Sequence, residues 1–276
     1  MRHFERAPLR RSGQRRCRRG DRRGRTGADA ARARGAVSER PDTARDTSAA
    51  PPGARRCFGD GDPLMERYHD LEWGFPILDE RGLFERLSLE AFQSGLSWRT
   101  ILARRDAFRA AFAEFQPDVL ARYGDVEVRR LLADAGIIRN RAKIEATLAN
   151  ARATVALRAG APLDAVMRSH APKRRRRAPA TWAEVPSVTA QSEALARALK
   201  SHGFRFVGGT TLYALMQACG LVNDHLAGRP VRPAVEEARR AAALWVRRAL
   251  STPGVTLISP APRATSPRRS GGSRGA

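Results

Sequence analysis

Between residues 81 and 93 apolar side chains return every three or four positions, and one carboxylate falls among them. Leu83, Leu87 and Glu90 share a spacing that, on a helix, puts Glu90 on the apolar stripe. A carboxylate placed there is costly unless it is hydrogen-bonded, paired, or kept to read a ligand. Ser94-Gly95-Leu96-Ser97 interrupts the run and Trp98 opens the next one. The pattern therefore sets an inward acid and a large flat ring on either side of a tight turn. A core tryptophan and an Arg-paired glutamate satisfy it as well.

The same reading predicts a helix entered at Asp62-Pro63-Leu64 and running towards Trp73-Gly74, then helices at about 98–114, 117–122 and 125–134. Ile101, Phe108, Phe112 and Phe115 recur at helical spacing and are core positions. Val128 to Asp134, a turn at Gly136, and a second helix to about residue 158 form a helical hairpin. Its turn amides can receive a phosphate, with Arg139, Arg141 and Lys143 supplying charge, although any helical hairpin shares this pattern. Residues 159–180, with Lys173 to Arg177 between prolines, are expected to be an exposed loop. Further helices are predicted at 190–200, from Thr211 to Cys219, and amphipathically at 235–250. Strand patterns and repeats are lacking, so the class is all-α.

Charge changes the picture only outside this region. The chain has 276 residues and a formal net charge of +23. Residues 1–54 hold 15 arginines against 6 acids and almost no large hydrophobes, a composition expected to stay disordered; a basic disordered tail is also expected within 234–276, after its helix. The domain between them, 55–233, is still basic, which suits a polyanionic partner or a solvated surface. Cys17, Cys57 and Cys219 are too few and too dissimilar for a disulfide framework, so a reducing, cytoplasmic setting is expected. No apolar run reaches the length of a membrane span, and no secretory signal is evident.

Tyr68-His69-Asp70, Glu72-Trp73-Gly74, Leu89-Glu90, Ser94 to Trp98, Asp134 to Arg139, Gly203 to Gly208 and Met216-Gln217-Ala218-Cys219-Gly220-Leu221-Val222-Asn223-Asp224-His225 resemble, in order and spacing, the bacterial 3-methyladenine DNA glycosylase I family. The likeness covers about residues 55–228 and neither tail. It implies a helix-hairpin-helix DNA glycosylase fold and a monomeric, monofunctional hydrolase that removes 3-methyladenine from alkylated double-stranded DNA. By resemblance, Tyr68 and Trp98 flank the flipped base and Glu90 reads its edge as the catalytic residue. Leu96, next to the DNA-binding Gly95 on the turn, fills the gap in the base stack, and Gly136, Ile137, Arg139 and Lys143 hold the DNA backbone. The family also carries a structural zinc, whose ligands match Cys57, His69 and His225, but Arg229 stands where a fourth, cysteine ligand is expected. Met65 replaces a further pocket tyrosine, and Met167 to His170 is less aromatic than in relatives. Two other readings stay open: a DNA-binding remnant without catalysis, and a glycosylase of shifted alkyl-purine specificity.

Overall fold

The computed structural model describes residues 55–173 and 177–251. The expected disordered tails, and Arg174 to Arg176 of the basic run, lie outside the described residues. Among the described residues there are helices and no strands.

Helix α1, Pro63–Leu71, starts at Asp62, whose carboxylate accepts from the amides of Leu64 and Met65 while Pro63 takes the first helical position. Helix α2, Glu80–Gln93, is capped by Asp79, and every residue from Leu83 to Phe92 is buried. The predicted stripe is thus a sheath, and its polar members must be satisfied inside the protein. Around α2 pack α3, Trp98–Leu102; α7, Arg141–Leu157; α8, Leu163–Ser169; and α10, Gly209–Ala218. Helix α9, Ala190–Ser201, lies against α10.

The single helix expected over 98–114 is broken. After α3 the chain forms α4, Arg105–Ala111, and then a left-handed turn at Ala113, Glu114 and Phe115 with φ of 47°, 55° and 54°. Left-handed backbone is costly in residues with a Cβ. Here it lets both Phe112 and Phe115 face inward, stacked at 5.6 Å and 6°. Helices α5, Pro117–Leu120, and α6, Asp125–Ala133, follow as predicted. Helix α8 lies in what was expected to be a loop: it has seven residues and no side-chain cap, so the usual start signal is absent, but Leu163, Val166 and Met167 bury one face. The stretch around Trp182 forms only a short 3-10 turn before α9.

The last helix, α11, Val231–Ser251, clasps the loop after α10. Arg239 donates to the carbonyls of Gly220 (2.8 Å) and Leu221 (3.0 Å), and Asn223 donates to Glu236 (2.8 Å). Arg232 donates to the carbonyls of Asn223 and His225. Gly220 has φ +69°, and a Cβ there would lie 2.6 Å from the Gly74 carbonyl oxygen and 2.7 Å from the Pro76 nitrogen. Both the conformation and the space exclude a side chain. Gly220→Ala is expected to cost about 3 kcal/mol in urea unfolding, more than overpacking alone in most cores.

Candidate functional site

Tyr68 of α1, Glu90 and Arg86 of α2 and Trp98 at the start of α3 meet in one buried compartment, with Cys219 behind them. The Tyr68 and Trp98 ring centroids are 5.2 Å apart and the planes are inclined at 44°. A base between two faces needs about 7 Å, twice a van der Waals contact. As they stand, the two rings touch each other and form one tilted wall. Glu90 is 5% exposed and, among the described residues, no hydrogen bond reaches its carboxylate. Burial pushes its carboxyl up to about 7, with Arg86 pulling the other way.

Arg86 is the residue that the sequence reading passed over, although it lies four positions before Glu90 on the same helix face. It is 6% exposed, with its guanidinium carbon 5.1 Å from the Tyr68 centroid and 5.4 Å from that of Trp98. Its Nη2 donates to Glu72 at 3.2 Å, while Nη1 and the Trp98 Nε1 have no partner among the described residues. Arg105 grips the same Glu72 with both Nη atoms. The compartment is therefore not simply anionic: an acid and a base share it.

The turn after α2 keeps its predicted form. Gly95 has φ +82° with open space around it, and Leu96 is 39% exposed, an apolar side chain held outward by a bond from its amide to Gln93. In the hairpin between α6 and α7 the Gly136 amide donates to Asp134 at 2.7 Å, and a Cβ on Gly136 would stand 3.1 Å from that of Ala107. The close approach made at this glycine is to its own chain. Arg104 also donates to the carbonyls of Ala135 and Gly136, Ile137 is buried as an anchor, and Arg139 is exposed. Lys143, expected on a phosphate, points inward instead. Its Nζ donates to the carbonyls of Phe92 (2.7 Å) and Ser94 (2.6 Å), satisfying the C-terminal end of α2. It links the hairpin to the Gly95 turn.

Cys57, His69 and His225 do converge. The His69 and His225 rings are 4.9 Å apart, edge to face, and the Leu226 amide donates to the Cys57 Sγ at 3.3 Å. Three of the four histidine ring nitrogens, however, are engaged: the Cys57 amide donates to His69 Nε2 at 3.1 Å, and His69 Nδ1 is bonded to Asp70 at 2.8 Å. His225 Nδ1 is bonded to Asn223 at 2.8 Å, leaving its Nε2 as the free lone pair. Arg229 faces the Cys57 thiol, and burial holds His225 neutral, its pKa down at about 3. Among the described residues no three His, Cys, Asp or Glu side chains are arranged to hold a metal. This donor set does not fit zinc. Phe58 and Trp182, which the sequence reading also missed, close over the cluster; Trp182 Nε1 donates to the Cys57 carbonyl at 2.8 Å.

Comparison with known proteins identifies the family. The methyladenine glycosylase family profile matches residues 58–232. The DNA-3-methyladenine glycosylase 1 of Escherichia coli (strain K12) is 47% identical over 171 residues, covering 60% of this chain and 90% of that protein. A crystal structure of a 3-methyladenine DNA glycosylase I superposes with a TM-score of 0.61 at 45% identity, over 63% of this chain and 97% of the other. The Staphylococcus aureus 3-methyladenine DNA glycosylase I, whose structure concerns 3-methyladenine recognition, gives 0.61 at 31% identity, over 64% and 95%. From the fold and these likenesses together, the chain belongs to the methyladenine glycosylase family.

Proposed function

We propose that this protein is a monofunctional DNA glycosylase that turns 3-methyladenine out of alkylated double-stranded DNA and hydrolyses its N-glycosidic bond. The observation that carries the reading is the Glu90 carboxylate, buried with no hydrogen-bond partner beside the Tyr68–Trp98 wall. Methylation at N3 makes the base cationic and its glycosidic bond weak, so the site has to select more than to activate. The flipped base lies on the aromatic wall, drawn by cation–π attraction, and its amino edge donates to Glu90. As the bond breaks, positive charge passes from base to sugar and water attacks the sugar carbon. Leu96 fills the gap left in the stack, and Ile137 seats the hairpin so that its amides and Arg139 meet the backbone. The protein acts as a monomer in the cytoplasm, and no helix among the described residues is long and apolar enough to cross a membrane. A lysine nucleophile is not part of this reading: of the three lysines, Lys143 serves α2, and Lys173 and Lys200 are exposed.

Glu90→Gln tests the central role. Release of 3-methyladenine from methylated DNA, followed by chromatography, is expected to fall about 100-fold; unchanged release sinks the proposal. Stability should move the other way. Below the ordinary glutamate pKa of 4.5 the group is protonated in both states; from there to about 7 the unfolded chain ionises while the native one keeps its proton, so stability is lost as pH rises. That interval corresponds to roughly 3 kcal/mol. Glu90→Gln is therefore expected to unfold at higher urea than the unaltered chain at pH 8 and at the same urea at pH 4. For the hairpin, Arg139→Ala is expected to reduce the slope of log affinity against log salt by about one, whereas Lys143→Met leaves that slope unchanged.

A further inference from the structure

We propose that Arg86, one helical turn before Glu90, is a positioning residue for base recognition, supplying the fixed positive charge against which the Glu90 carboxylate stays ionised and ready to accept from the base. The inference rests on the glycosylase reading above and deepens it. Both side chains project from α2 into the same compartment, yet no ion pair or hydrogen bond joins them among the described residues, so the carboxylate oxygens remain available. The guanidinium is held in place from its far side: Glu72 accepts from Nη2, Arg105 grips Glu72, and the faces of Tyr68 and Trp98 flank the charge. Leaving Nη1 buried without a partner costs about 1–3 kcal/mol, which a methionine or leucine in the same space would avoid.

The other groups around Glu90 supply no comparable charge. Tyr68 from α1 and Cys219 from the end of α10 are both neutral at physiological pH because burial pushes them up, Cys219 to about 12. Trp98 from α3 is uncharged. Glu72 and Arg105 lie behind Arg86, and the Lys143 ammonium is turned to the Phe92 and Ser94 carbonyls. In so dry a place a carboxylate without Arg86 takes up a proton, losing both its charge and one acceptor site. It then attracts a cationic purine no more than a neutral one.

The test is the pH dependence of 3-methyladenine release by the full chain under single turnover, beside Arg86→Met and Arg86→Lys. In the unaltered chain release is expected to fall as pH drops through about 7. Arg86→Met moves that limb at least one pH unit towards alkali, so that release near neutrality falls about tenfold, and Arg86→Lys brings the limb back. Arg86→Gln replaces Arg86→Met should the latter fail to fold. A variant slowed equally at every pH, its limb unmoved, overturns this inference and leaves the glycosylase reading standing. Absence of release by the unaltered chain at every pH overturns both.

A second inference comes from different residues. We infer that the clamp joining the two ends of the domain works without a metal, its place taken by Arg229 and by α11, most of which lies beyond the family match ending at residue 232. His69 has both ring nitrogens engaged, Arg229 brings a cation to the fourth position, and Arg232, Glu236 and Arg239 bind the loop that carries His225. Val235 is fully buried beside Gly74, where a Cβ would also strike His225. The full chain, prepared with zinc present, is expected to retain less than about a tenth of an equivalent by elemental analysis and to melt at the same temperature with and without chelator. Arg239→Ala is expected to lower that temperature by about 5 °C and the exposed-site control Arg240→Ala to leave it unchanged. One equivalent of bound zinc whose removal lowers the melting temperature overturns the inference.

Discussion

The structure depends on keeping one carboxylate in a dry place. Glu90 is buried on a helix that is itself buried all round, and its nearest charged neighbour, Arg86, stands close enough to be felt and too far to be bonded. A salt bridge would have stabilised the acid and consumed its acceptors. Full isolation would have protonated it. The intermediate arrangement leaves an acid with open lone pairs that gives up its proton only near pH 7.

The surrounding architecture maintains that spacing. Glu72 is shared by Arg86 and Arg105, so α2, α4 and the end of α1 are tied through one carboxylate. Lys143 reaches from α7 to the carbonyls that end α2, joining the hairpin to the turn that presents Leu96. The hairpin is thus tied to the end of the helix carrying Glu90 through two hydrogen bonds to backbone. Next to the Tyr68 wall, α11 and the aromatic group of Phe58, Trp73 and Trp182 close around His69 and His225.

Much of this was legible in the chain. The period of three to four found α2, α6, α7, α9 and α10 within a few residues, and Asp79, Asn140 and Thr189 cap the starts of α2, α7 and α9, whereas α6 and α10 begin at glycines without a side-chain cap. It failed at 98–114, which breaks at Ala103 and Arg104 between α3 and α4 and ends in a left-handed turn at Ala113 to Phe115. It failed again at α8, whose seven residues carry no side-chain cap.

By itself the sequence determined that the chain is helical, that Glu90 faces inward, and that Tyr68, Trp98, Cys57, His69 and His225 belong to shared blocks. Spacing along a helix decides which way Glu90 points; the other five were placed by the family resemblance, and Cys57 and His225 lie outside any helix. Only the tertiary structure decided what each side chain meets. It turned Lys143 from a presumed phosphate contact into a cap, set the two rings against each other, engaged both nitrogens of His69, and placed Arg86 beside the acid. Those outcomes depend on partners far away in the chain, and the periodicity of one segment carries no information about the distance to another.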